Sequence, residues 1–135
     1  MLEHQSAIPT AETIMHSQYR LVDGLLTVAE GIDVMRKHNV NVLIIQPRDA
    51  TDEHGIVLAT DIAKKVLAAN RSTERVSLYE IMTKPVISVR PEMSIRNCAR
   101  LFGQFGLSLA PVTNQQHQVL GIVDYSCIVT GWASS

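Results

Sequence analysis

The residues best placed to do chemistry lie in HGIVLATDIAKK, positions 54 to 65. An apolar strand runs straight into a helix there and leaves one carboxylate, Asp61, at the junction. Thr60 has the hydroxyl of a helix N-cap, and an acidic residue just after it offsets the helix dipole by about 0.3–1 kcal/mol. The same carboxylate is placed to hold a polar group in a cleft. The other reactive side chains form no catalytic constellation. Cys98 and Cys127 make no CxxC and have no neighbouring His at metal-ligand spacing, so packed thiols are the plain expectation. His4, His16, His38, His54 and His117 share no spacing suited to a metal site. With no acid-base pair and no activated nucleophile, the chain does not read as an enzyme.

The elements that must position Asp61 come in two copies. An offset of 67 residues lays Ile14-Met15 on Ile81-Met82, Val22 on Val89, and VAEGIDVMRKHNVNVLII (28 to 45) on IRNCARLFGQFGLSLAPV (95 to 112). A one-residue deletion then aligns Gly55-Ile56-Val57 with Gly121-Ile122-Val123. Each copy opens with a short helix (TAETIM; VSLYEIM) and an extended stretch (YRLV; PVISV). An amphipathic helix follows, with Val28, Ile32 and Met35 in one copy and Ile95, Cys98, Ala99 and Phe102 in the other. A β-rich run, a polar turn, a second strand and a closing helix complete it. The order β-α-β-β-α, twice, predicts an α/β (α+β) fold of two repeats, over 10–72 and 73–135. Residues 1–9 are an N-terminal extension, either disordered or folded across a cleft. The stretch AANRSTERVS (68 to 77) reads as a linker with Asn70 as helix stop, and QPRDATDEHG (46 to 55) as a solvated hairpin loop. Met15, Met35, Met82 and Met93 recur at repeat edges, as gap-fillers do.

The bulk numbers bound the function. At 135 residues an ordinary core is within reach, since a chain near 150 residues buries about 68–70% of its unfolded surface. Hydrophobic residues are 46% and charged ones 19%, which is globular composition. A net charge of -1 with 4% aromatics argues against a nucleic acid partner. No apolar run approaches a membrane span and the N-terminus lacks a signal-peptide pattern, so the expectation is a cytoplasmic protein without membrane insertion.

With Ile-Met at the head of each copy and a Gly-Ile-Val strand ending in an acidic helix start, the pattern resembles the CBS domain, and two in tandem resemble a CBS pair, or Bateman module. The motifs are EIMTKPVISVRPEMSI, TIMHSQYRLVDGLLTV, KHNVNVLII, HGIVLATDI and LGIVDYSCI, and the resemblance covers about residues 10 to 132. It implies two repeats packed with pseudo-two-fold symmetry, a stand-alone regulatory module for an unknown regulated protein, and a homodimer. It also implies an adenosine-containing ligand (AMP, ADP, ATP or S-adenosylmethionine) in a cleft between repeats, signalling through dimer rearrangement. The alternative is a structural or interaction module whose sites are degenerate.

The family pattern places a ribose-binding carboxylate at Asp61, with Thr60, Ser17, Tyr19, Val40 and Asn41 around it; Leu58 stands where a hydroxyl residue is usual. A carboxylate accepts both diol hydrogens, and helix N–H groups favour an anion. The second site takes in Lys84, Ile87, Leu107, Ser108, Asp124 and Cys127, with His38 reaching from the other repeat. Asp124 repels phosphate there and Cys127 replaces the ribose acceptor, so this site reads as degenerate.

Overall fold

The computed structural model describes residues 8–84 and 86–133. It divides into two compact units that do not follow the repeat boundaries: one spans Gln18–Val86, the other joins residues 8–17 to those from Ile87 onward. Each repeat of the sequence is therefore split between the two.

In the Gln18–Val86 unit, β1 (Arg20–Val22) leads to α2 (Val28–His38), β2 (Val42–Ile45), β3 (Gly55–Leu58) and α3 (Ala59–Ile62), which widens into a π-helical turn over Ala63–Leu67; α4 (Leu78–Ile81) closes it. Helix α1 (Ala11–Ile14) belongs to the other unit. The helix ends are written in the sequence. The Thr27 hydroxyl accepts from the Glu30 amide at 3.1 Å while Glu30 accepts from the Thr27 amide at 2.9 Å, a reciprocal capping box. Arg36, Lys37 and His38 crowd the last turn of α2, where the helix dipole favours cations, and Asn39 stops it in the left-handed conformation. Asn70 takes the same conformation after the π turn, as expected of a helix stop. Strand β2 pairs parallel with β1 and antiparallel with β3, and all four of its residues are buried. Val28, Leu43, Val57, Val66, Leu78 and Ile81 form the core.

The expected linker 68–77 is not a free tether. Val76 is buried, and the carbonyls of Val76 and Thr73 accept from the Val28 and Ala29 amides at 2.8 Å. The first amides of a helix lack intrahelical partners, and this segment satisfies two of them.

The other unit holds α1, α5 (Ile95–Phe105), β4 (Leu109–Thr113), β5 (Val119–Asp124) and α6 (Tyr125–Ala133). Ser94 caps α5 and Gly106, at φ 66°, ends it. Strands β4 and β5 are antiparallel, and among the described residues the PVISV stretch contributes a parallel bridge from Val89 to Val112. Phe102, Ile95, Cys98, Val112 and Val123 are its core, with Ala11 of α1 fully buried among them. Of the N-terminal extension, residues 1–7 lie outside the described residues; Ile8 packs on this core and the Pro9 carbonyl accepts from the Ile95 amide at 2.9 Å.

The Ile-Met heads explain why the units cross the repeats. Met82 lies against Gly55, where an added Cβ would meet its Sδ at 2.5 Å, and Met15 lies against Gly121, where one would meet Sδ at 2.8 Å. Each methionine thus needs the glycine of the opposite repeat's Gly-Ile-Val strand. The backbone agrees: Thr83 exchanges hydrogen bonds with Ile56, and His16 with Ile122.

Candidate functional site

Sheet register assembles the ends of the strands around Asp61. Arg20 faces Leu43 and Val42 faces Leu58, so Tyr19, Asn41 and the start of α3 share one end of the sheet. The Asn41 carbonyl accepts the Ala59 amide at 3.0 Å. The N-cap is Leu58 rather than Thr60, because the helix begins at Ala59. Leu58 has no side-chain acceptor, and Asp61, three residues on, reaches back instead: its Oδ2 accepts the Leu58 amide at 2.8 Å. Its Oδ1 lies 3.7 Å from the Lys65 ammonium, and the side chain is 19% exposed. Thr60 and Asn41 are exposed, Tyr19 and Val40 half-buried; burial pushes the Tyr19 phenol above its ordinary pKa. Ser17 is exposed and belongs to the other unit.

The second constellation divides similarly. Lys84 lies in the Gln18–Val86 unit, where its ammonium pairs with Asp52 of the β2–β3 loop and, through that hydrogen bond above all, holds the Asp52 carboxyl down to about 2. His38, in the same unit, is exposed at the end of α2; desolvation, then Arg20 and Lys37, lower its pKa. The rest gather at the end of β4 and β5, since Leu109 faces Asp124. Ser108 precedes β4, Leu107 is half-buried, and Ile87 is exposed beside the Val89 bridge. Asp124 Oδ1 accepts the Cys127 amide at 2.9 Å, and the Asp124 amide donates to Cys127 Sγ at 3.2 Å, so the two residues cap α6 between them. Asp124 Oδ2 pairs with His16 Nε2 at 2.9 Å. Burial opposes the Asp124 charge, but hydrogen bonds from the Cys127 amide, His16 and the Cys127 thiol outweigh it and lower its pKa. Burial pushes the Cys127 thiol up, as it does Cys98, which makes both poor nucleophiles.

His16 is the residue that reading by spacing missed. It stands 108 positions from Asp124, and the His16–Ile122 bridge brings it there. The signal was in the repeat: His16 and Asp124 replace Thr83 and Leu58 of the other copy, a substitution at two positions that the Ile-Met and Gly-Ile-Val motifs bring together. Among the described residues, no group of three or more His, Cys, Asp or Glu could hold a metal. Among them, too, no helix is long and apolar enough to cross a membrane.

Comparison with known proteins supplies the family. The model of the CBS domain matches residues 78–131. A hexameric CBS-CP12 protein from bloom-forming cyanobacteria shares the fold with TM-score 0.83 and 37% identity, over 90% of this chain and 70% of that one. This chain belongs to the CBS domain family. The CBS domain pair of protein MJ0100, solved in complex with 5′-methylthioadenosine and S-adenosyl-L-methionine, aligns at TM-score 0.78 and 26% identity over 95% of this chain and 98% of that one. The L-aspartate semialdehyde sulfurtransferase of Methanocaldococcus jannaschii is 33% identical over 73% of this chain but only 18% of its own length. Two further curated relatives are spanned over 45% and 22% of their lengths. The enzyme names among them therefore describe proteins of which this CBS pair matches a part.

Proposed function

We propose that this CBS pair is a non-enzymatic regulatory module that binds an adenosine-containing ligand at Asp61 and signals through rearrangement of a homodimer. The observation that carries the reading is the division of labour on the Asp61 carboxylate. The Leu58 amide orients Oδ2, while Oδ1, 3.7 Å from Lys65, is left to accept a ribose hydroxyl. The start of α3 beside it contributes amides that favour a phosphate or carboxylate. The MJ0100 pair, similar over 95% of this chain, was solved with two adenosine compounds, which supports that ligand class over others. AMP, ADP, ATP and S-adenosylmethionine are the compounds to compare.

A dimer surface fits the face of α5 and α6. A groove of about 350 Å³ there is lined by Ile95, Arg96, Ala99, Ile128, Val129 and Trp132. Val129 is 65% and Trp132 44% exposed, an apolar pair at the surface that a partner copy could cover. A ligand that binds one arrangement of such a dimer better than another shifts the population toward it.

The test is calorimetry with the four compounds on the wild type and Asp61→Asn, with sedimentation of the wild type and Val129→Asp alongside. Asparagine still accepts the Leu58 amide but loses the charge that draws both diol hydrogens, so affinity should fall by about tenfold or more. Val129→Asp should sediment as a monomer. Unchanged affinity in Asp61→Asn would remove the ribose assignment, and a monomeric wild type would remove the dimer.

A further inference from the structure

The opposite end of the same sheet carries a second candidate site. Because β1 and β2 run parallel, Tyr19 and Asn41 precede them, whereas Asp23 and Gln46 follow them. A cavity of about 420 Å³ opens there, lined by Asp23, Leu25, Gln46, Pro47, Arg48 and Tyr79. The Arg48 guanidinium lies 4.1 Å from the centre of the Tyr79 ring. The ring in turn rests on Gly24: a Cβ there would come within 2.2 Å of it, and the Tyr79 amide donates to the Gly24 carbonyl at 3.1 Å. Glycine, tyrosine and arginine thus make one stack that holds a planar cation at the cavity.

Neither charge at this cavity is neutralised by a salt bridge among the described residues. Asp23 has its Oδ1 turned by the Leu25 amide at 2.8 Å and, among the described residues, forms no salt bridge. The repeat provides an internal control. In the other unit the equivalent turn closes with the Glu12 amide donating to the Pro91 carbonyl at 3.0 Å. Pro91, Glu12 and Gln115 stand there in place of Gly24, Tyr79 and Arg48. The fold closes this turn without the stack and without its cation, so the turn does not require them.

We propose that this cavity binds a small zwitterion, an α-amino acid with an apolar side chain. The Arg48 fork matches a carboxylate in two parallel hydrogen bonds, and stacking on Tyr79 reduces the side-chain freedom lost on binding. Asp23 takes the ammonium group. Leu25, 73% exposed, and Pro47 cover the apolar side chain. The charge pattern selects against the simpler ions: a phosphate dianion meets the like charge of Asp23, and a bare amine meets Arg48. The site is independent of the adenosine reading, since it shares no residue with Asp61 and its neighbours.

Calorimetry on the full chain tests it, with L-leucine and L-methionine as ligands. 4-Methylpentanoate is leucine without the amine, isoamylamine is leucine without the carboxylate, and inorganic phosphate serves as the plain anion. One of the amino acids should bind saturably, and the three partial ligands should bind far more weakly. Arg48→Gln should weaken it by about tenfold or more, the loss of a charge-assisted pair. Gly24→Ala, by displacing Tyr79, should weaken it as well, and Asp61→Asn should leave it unchanged. No saturable binding of either amino acid, 4-methylpentanoate or phosphate binding as well as leucine, or undiminished affinity in Arg48→Gln would each overturn the proposal.

Discussion

Asp52 and Lys84 show how much a single partner changes a carboxylate. The pair ties the β2–β3 loop to the residue after the Thr83 bridge, and the hydrogen bond from Lys84 is the largest reason the Asp52 pKa falls to about 2. A group depressed in the folded state adds stability that is present above its unfolded pKa, about 3.9, and is lost as pH falls through the folded value. The window for Asp52 is therefore between about pH 4 and pH 2. In Lys84→Met, a carbon-detected titration should show the Asp52 carboxyl moving up toward its ordinary value, and acid unfolding should lose its contribution in that window. An Asp52 pKa unchanged by Lys84→Met would show that the backbone amides of the loop hold the charge alone. Asp124 differs in kind: two of its contacts come from Cys127, and only His16 comes from a distant part of the chain.

Elements in this molecule meet through methionine on glycine. At Gly121 an added Cβ would stand 2.8 Å from Met15 and 3.1 Å from the His16 carbonyl; at Gly55 the nearest backbone atom, the Thr83 carbonyl, is 3.4 Å away. A methionine side chain can turn aside, whereas the His16 carbonyl, which accepts the Ile122 amide, cannot do so without breaking the bridge. Gly121→Ala should therefore cost more than Gly55→Ala, on the order of 1–3 kcal/mol against less than that. Urea unfolding of the two variants measures the difference, and equal costs would mean that the methionines set both. Of the left-handed stops only Asn70 was read from the sequence; the capping boxes, Thr-x-x-Glu and Ser-x-x-Glu, and the stops at Asn39 and Gly106 are equally local but were seen only in the structure. The cap at Asp61 was legible only in part: Thr60 has the better side chain, but β3 hands its last residue, Leu58, to the helix, and this decides the register.

At the scale of the whole molecule, the units and the repeats part company. Helix α1 lies in the unit that begins again at Ile87, and α4 in the unit that begins at Gln18. Ala11 is fully buried in one core and Leu78 and Ile81 in the other. A fragment cut at the repeat boundary, residues 73–135, lacks α1 and carries α4 without its core. It should show no cooperative thermal transition by circular dichroism, because the missing contacts are a large fraction of a marginal stability. A cooperative melt of that fragment would mean that α1 adds little to its unit.

The duplicated pattern, the order of elements, the apolar faces and most helix ends were determined by local sequence, because periodicity, caps and stops act over a few residues. Asp61 at a strand-to-helix junction was visible on the same ground. Three features were decided only by tertiary structure: the exchange of α1 and α4 between units, the pairing of His16 with Asp124, and the seating of Arg48 on Tyr79 above Gly24. The last two join residues 31 or more positions apart in the chain, as the 108 positions between His16 and Asp124 illustrate. No local propensity reports such a contact. It follows from strand register and from which glycine has room for which side chain.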